Sequence, residues 1–311
     1  MRMRSLYFSC ILAALTLSAS SCKKKDGEEE AAAVDSGAAA SAGQSEGKVA
    51  HIILDGDLVI VPGMKLRSEQ TLKMTAGNFV TASSAGSSQG TMMIIDTEVR
   101  DIEFVSLREQ LLTLEEKQSN IVMDTGQPQK VEATVKSTLL GQRLSAIQQK
   151  DGTWWYGLMA GDADPRQTEE LQDMGEAELL AVFTYPEEPV TIGMEWEVGA
   201  DALPSLLGSS FKPNVARVYF RMNGVKTHEG QRCAELGIRV EAAGEYRIGE
   251  DQLPVKMVVD MKGTLLHSLN TFQDLMISLK GVMTLEHSPA GGTSIRSDGN
   301  IEFVRVNKIG S

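Results

Sequence analysis

Residues 233–242 read Cys233-Ala234-Glu235-Leu236-Gly237-Ile238-Arg239-Val240-Glu241-Ala242, and their alternation decides the fold. Ala234, Leu236, Ile238, Val240 and Ala242 fall on one side, with Glu235, Arg239 and Glu241 on the other. That is the two-residue period of a strand with one face in a core. Upstream, Val218, Phe220 and Met222 alternate with Arg217, Tyr219 and Arg221, and Asn223-Gly224 follows as a hairpin turn signal. Downstream, Val255, Met257, Val259 and Met261 share a face, as do Leu275, Ile277, Leu279, Met283 and Leu285, while Ile301 and Phe303 open a further strand. Turn signals stand at Glu229-Gly230, Gly291-Gly292 and Asp298-Gly299. Strands at this spacing without intervening helices pair antiparallel. The expected fold is mainly β, with long antiparallel strands in a strongly curved sheet or half-barrel and one or two short helices.

Earlier in the chain the signals are sparser. Leu72, Met74 and Ala76 alternate after a Pro62-Gly63 turn, and a loop from Thr81 to Gly90 follows. Met92–Val105 and Arg108–Met123 read as two long strands, although the Leu111–Glu116 run also suits a helix. Val131–Ile147 reads as one strand, Asp151-Gly152 as its turn and Thr153–Leu158 as the return. A helix then starts at Asp164, with Pro165 at its first position and Gln167 placed to complete a capping box. Leu171 and Met174 would face the core, and Gly175 is a candidate stop.

In Tyr185-Pro186-Glu187-Glu188-Pro189-Val190-Thr191-Ile192-Gly193-Met194-Glu195-Trp196, a proline-rich turn leads into Pro-Val and then Gly-x-x-Trp. This segment resembles the middle of a family of uncharacterised bacterial lipoproteins and secreted proteins, a β-rich domain of unknown function. The resemblance implies a domain of long antiparallel strands and carries no known catalytic residue. Physically, Pro189 sets an extended approach, Gly193 permits a turn and Trp196 fills the core.

The front of the chain has a different character. Arg2 and Arg4 precede an apolar run from Leu6 to Leu17, shorter than the ~20 residues a spanning helix needs. Ala19-Ser20-Ser21-Cys22 then reads as a lipobox, and the segment resembles bacterial lipoprotein signals. Residues 1–21 are therefore expected to be a signal peptide, with Cys22 as the lipidation site. That resemblance implies a diacylglycerol thioether, and Lys23 rather than Asp after the cysteine implies the outer membrane, facing the periplasm. Residues 22–48, poor in apolar side chains, are expected to be a disordered tether. Residues 49–311 form the β-rich domain, read as two related halves meeting near 186–215.

The chain of 311 residues carries a formal net charge of -12, which argues against a nucleic-acid partner. Apart from Cys10 and Cys22 there is one cysteine, Cys233, so no disulfide framework is available. The histidines of the β-rich part, His51, His228, His267 and His287, show no metal spacing. His267 shares a face with Leu265 and Leu269 and reads as a packed histidine. Asp162 and Asp164 lack the further oxygen ligands of a calcium loop. There is no phosphate loop, nucleophile elbow or His-Glu-x-x-His, so neither a cofactor nor a catalytic residue is expected. A hydrolytic site assembled from distant residues is the competing expectation.

Fifteen methionines stand against eight phenylalanines. Met222, Met257, Met261 and Met283 sit on apolar strand faces, where flexible thioethers suit either a variable apolar ligand or ordinary core filling. Trp154 and Trp155 place aromatic rings on both faces of one strand. These six are the candidate ligand-binding residues of a non-enzymatic envelope lipoprotein that binds an apolar ligand or docks an envelope protein. Cys22→Ala is expected to release a folded, soluble protein, because the tether separates anchor from core; membrane fractionation checks this.

Overall fold

The computed structural model describes residues 51–56, 59–83, 86–124, 130–150, 153–174, 183–199, 203, 207, 211–248, 253–288 and 294–310. The signal, lipobox and tether readings lie outside them, as do the Asp151-Gly152 and Gly291-Gly292 turns and the stop at Gly175. Twelve strands make one antiparallel sheet: β1 Lys65–Ser83, β2 Gly86–Ser106, β3 Glu109–Asp124, β4 Val131–Lys136, β5 Arg143–Gln148, β6 Trp154–Leu158, β7 Glu195–Val198, β8 Phe211–His228, β9 Gln231–Ile248, β10 Leu253–Ser268, β11 Asp274–His287 and β12 Ser294–Gly310. One helix is described, α1 Pro165–Asp173. The expected class holds: long antiparallel strands in a curved sheet.

The strand order is β6-β5-β3-β2-β1-β12-β11-β10-β9-β8-β7, with β4 also on β3. The chain starts at the middle of the sheet and works out to one edge at β6. It then crosses to the opposite edge at β7 and returns strand by strand until β12 pairs with β1. Both edges of this path are short, five and four residues, which limits unpaired strand backbone.

Four local readings are corrected. Thr81–Gly90 is not a loop: β1 runs to Ser83 and β2 starts at Gly86, and the two pair to their ends, Ser83 opposite Gly86. Asn223-Gly224 is not a turn but a bulge inside β8, where the register to β9 shifts between Met222 and Gly224. The reversal lies at Glu229-Gly230, both with positive φ (46° and 77°), as a two-residue hairpin turn requires. Asp298-Gly299 likewise lies within β12. Val131–Ile147 is not one strand but two: β4 pairs with Gln118–Met123 of β3 and β5 with Glu109–Thr113. Between them Ser137 and Thr138 turn aside to α1, where Ser137 Oγ donates to Glu170 Oε2 (2.5 Å) and the Thr138 amide and hydroxyl donate to Oε1 (2.9 Å each). The Leu111–Glu116 run is strand.

The helix begins as its sequence requires. The Asp164 carboxylate accepts from the Arg166 and Gln167 amides (2.8 Å each), and Gln167 Oε1 accepts from the Asp164 amide (3.1 Å). Leu171 and Met174 pack with Leu66, Ile102, Phe104, Leu112, Leu114, Leu144 and Tyr156 at one end of the inner face. A larger cluster occupies the other end, built from β8–β12 and the far parts of β1–β3, and covered by Ile52, Leu54, Phe183, Tyr185 and Val190. The covering pieces are tied down at the backbone: Ile52 and Val190 exchange hydrogen bonds (2.9 and 2.8 Å), Val59 donates to Thr271 (3.2 Å) and Gly63 to Phe104 (2.7 Å). Residues 51–56 and 59–64 thus lie as a strap from the β7 side of the sheet to β2.

Glycines permit the inner face to coil. A Cβ at Gly263 would lie 1.8 Å from the Ser278 carbonyl oxygen, and one at Gly281 would lie 1.9 Å from that of Asp260, so β10 and β11 close tightly there. Gly281→Ala is expected to destabilise by about 1–3 kcal/mol through overpacking. Gly224→Ala, where a Cβ would meet nothing within 4 Å, should unfold close to wild type; denaturant midpoints compare the two.

Candidate functional site: a buried polar seam

Between the two apolar clusters the inner face turns polar. Inward-facing positions on six adjacent strands supply Lys117 and Ser119 (β3), Asp96, Glu98 and Arg100 (β2), Ser68 and Gln70 (β1), Arg305 and Asn307 (β12), Asp274 (β11) and His267 (β10). Pairing puts them in register. Ser68 lies opposite Arg100 and Asn307, while Gln70 lies opposite Glu98 and Arg305. A bulge in β3 between its Arg100- and Val99-paired residues brings Lys117 to Glu98 and Ser119 to Asp96.

Arg100 and Arg305 are the buried cations, 6% and 4% exposed. Arg100 forms an ion pair with Glu98, which also meets Lys117 at 3.5 Å. Arg305 donates from Nε (3.0 Å) and Nη2 (2.8 Å) to Gln70 Oε1, with its guanidinium 5.6 Å from the Phe303 ring centre. Burial, and secondly the Arg100 charge, pull Arg305 down to about 10, which leaves it cationic at neutral pH.

At its other end the seam closes on a histidine. His267 and Asp274 meet at 2.9 Å (Nδ1 to Oδ1), and Tyr185 donates to the same carboxylate oxygen at 2.5 Å. His267 Nε2 lies 2.9 Å from the Leu54 carbonyl, which only accepts, so Nε2 carries a proton. A second proton must then lie between Nδ1 and Oδ1, and whichever atom holds it, His267 and Asp274 together are neutral. Asn307 donates to the Asp274 carbonyl (2.7 Å). The side chains of His267 and Asp274 are 1% and 0% exposed. Both imidazole nitrogens are occupied, so this pair has no free nitrogen to act as a base. The packed-histidine reading of His267 agrees with its burial, but the reading missed Asp274 and Tyr185. The signal was available in part: the hairpin joining β10 to β11 brings His267 opposite Asp274.

The six candidate ligand-binding residues do not converge. Met222, Met257, Met261 and Met283 lie in the larger cluster at 0–7% exposure, packed among its other apolar side chains. Trp154 packs against the smaller cluster beyond the seam, and Trp155 is 54% exposed on the outward face. Cys233 also points away from the methionines, buried with Leu266 and Leu275, and burial raises its thiol pKa. His287 Nδ1 donates to the Pro254 carbonyl (2.8 Å). Among the described residues no group of three or more His, Cys, Asp or Glu side chains could hold a metal ion, and no helix is long and apolar enough to cross a membrane.

Fold and seam together define an antiparallel single-sheet β protein with ionised groups inside one face. No family model matches the chain, and no curated protein matches it in sequence. Among solved structures it is similar to a "putative AttH" from Nitrosomonas europaea at 10% identity, over 82% of this chain and 98% of that one, with a TM-score of 0.13. A likeness at that score carries no argument.

Tyr185 ties the crossing segment to the seam. Its pKa is held well above the ordinary phenol value, by burial first and then by Asp274. Such a group stabilises the fold fully below the unfolded value of ~10 and ceases to as pH climbs through the folded value. Tyr185→Phe should cost about 1.5–3 kcal/mol at neutral pH by removing a donor to a carboxylate, and should flatten the alkaline fall in stability. Urea unfolding across pH 7–11 reads both effects.

Proposed function

We propose that the protein is a non-enzymatic, lipid-anchored binding or scaffolding protein of the bacterial envelope, attached through Cys22 and facing the periplasm from the outer membrane. The observation that supports this over hydrolysis is the closed state of the His267–Asp274–Tyr185 group. Its histidine has both nitrogens engaged, and the side chains of His267 and Asp274 are shielded from solvent. The resemblance of the Pro189–Trp196 segment to β-rich lipoproteins points the same way.

Burial of the four methionines favours a packed interior over a standing lipid cavity. Ile52, Leu54, Phe183 and Tyr185 belong to the same cluster, and an acyl chain entering from their side would have to displace them. The outward face carries cations and carboxylates paired across strands, such as Arg239–Asp260, Lys280–Glu302 and Arg296–Glu286. Exposed pairs like these contribute little to stability, roughly 0–1 kcal/mol each, and leave the face solvated for docking.

Metabolic labelling with a fatty acid tests the anchor, and labelling should vanish in Cys22→Ala. Purified protein should turn over neither ester nor amide reporters. Turnover that disappears in His267→Gln would overturn the binding reading in favour of an envelope hydrolase.

A further inference from the structure

The outward face carries a row of cations that the acids in the row do not match. Arg239 on β9 lies opposite Lys262 on β10, and Lys262 lies opposite Lys280 on β11. Lys280 is then opposite Glu302 on β12, and Glu302 opposite Lys73 on β1. Five adjacent strands thus present four cations and one carboxylate in a line, in a chain whose net charge is -12. Like charges directly opposite one another destabilise a sheet, and this row contains two such pairs. Arg239 is relieved by acids of the next row, Asp260 (3.1 Å) and Glu241 (2.7 Å), and Lys280 by Glu302 (2.8 Å). Lys73 and Lys262 make no ion pair among the described residues. Between Lys73 and Lys280 the face is hollowed. A cleft of about 260 Å³ is lined there by Lys73 and Thr75 of β1, Asn300 and Glu302 of β12 and Lys280 of β11.

We infer that this row and its cleft bind an acidic oligosaccharide laid across the sheet from β9 to β1, with its carboxylate or phosphate groups on Lys73, Lys262 and Lys280. Lysine ammonium groups meet such anions as point charges, at no fixed angle, which suits a chain of variable linkage. Within the cleft, Glu302 would repel a bare anion, yet it accepts from sugar hydroxyls, and Asn300 and Thr75 both donate and accept. Charge beside hydroxyl-matching groups is the pattern an acidic sugar requires. The row covers four interstrand steps of ~4.8 Å, roughly 19 Å in all, so the ligand is a chain of sugars and not one. The cleft is smaller than the ~300–1,000 Å³ of a site that encloses its whole ligand, and it holds a single ring of that chain.

The inference rests on the binding reading above and names its ligand, yet the two fail separately: reporter turnover lost in His267→Gln defeats the binding reading, whereas the row is judged by the lysine dependence of sugar binding. Calorimetric titration of the purified full-length protein in non-ionic detergent compares tetragalacturonate and a phosphorylated mannan oligosaccharide with neutral maltotetraose. At least one acidic probe should bind about tenfold or more tightly than maltotetraose. Lys73→Gln, Lys262→Gln and Lys280→Gln should each weaken that binding about threefold to fivefold, the loss of one exposed charge contact. Exposed changes of this kind leave folding nearly unaltered, and thermal melts of each variant check that they do. Lys256→Gln, on the same outward face of β10 but six residues from Lys262, should leave the Kd unchanged. The inference is overturned if neither acidic probe exceeds maltotetraose, or if Lys256→Gln weakens binding as much as the row variants do, which would make the attraction one of overall charge. Binding to phosphatidylglycerol vesicles with no acidic sugar bound equally overturns it, and gives the row to a lipid surface.

Discussion

Charge held inside a sheet face constrains register more tightly than apolar burial does, and here that constraint runs across six strands. A one-residue slip of β12 against β1 would turn Arg305 and Asn307 outward and bring Val304 and Val306 inward. Apolar packing alone would accept that exchange, since valine suits either cluster. The polar contacts would not: Gln70 would lose Arg305, and the Asp274 carbonyl would lose Asn307. Leaving a buried polar partner without its hydrogen bond costs about 1–3 kcal/mol, and more where the group is charged. The seam thus selects among alignments that the alternating pattern leaves nearly equivalent.

The same fact explains what was legible in the sequence. Where apolar residues alternate cleanly, as in 234–242 or 255–261, strand, face and partner all follow from the period. The Asp164 capping box was equally readable, because every group in it lies within four residues. The seam was hidden because its polar residues sit at inward positions beside outward valines, Val99 next to Arg100 and Val304 next to Arg305, so alternation points the wrong way. Turn chemistry misled for a related reason. Asn223-Gly224 and Asp298-Gly299 favour reversals locally, but pairing of β8 along the length of β9, and of β12 with both β11 and β1, draws them into continuous strands. The division of Val131–Ile147 depended on a contact with Glu170, more than thirty residues away, which no local pattern records.

The strap gives the seam a second boundary. Leu54 accepts from His267 through its backbone, so the contact depends on where the strap runs and not on the side chain at that position. His267 in turn orients Asp274, and Asp274 holds Tyr185 of the crossing segment. Two coverings from opposite parts of the chain are thereby fixed to one carboxylate. The inner face closes only when both are in place, which makes its solvent exclusion a property of the whole fold.

The position of β1 has a bearing on how such a chain is made. The first strand to emerge during synthesis belongs at the centre of the finished sheet, and one of its edges stays vacant until β12 follows it more than two hundred residues later. Until then the amino-terminal half can pair only outward, towards β6. Contacts so distant in sequence form late and slowly. A chain built in this order stays open to threading for most of its synthesis, the condition a polypeptide must keep while it passes through a membrane pore.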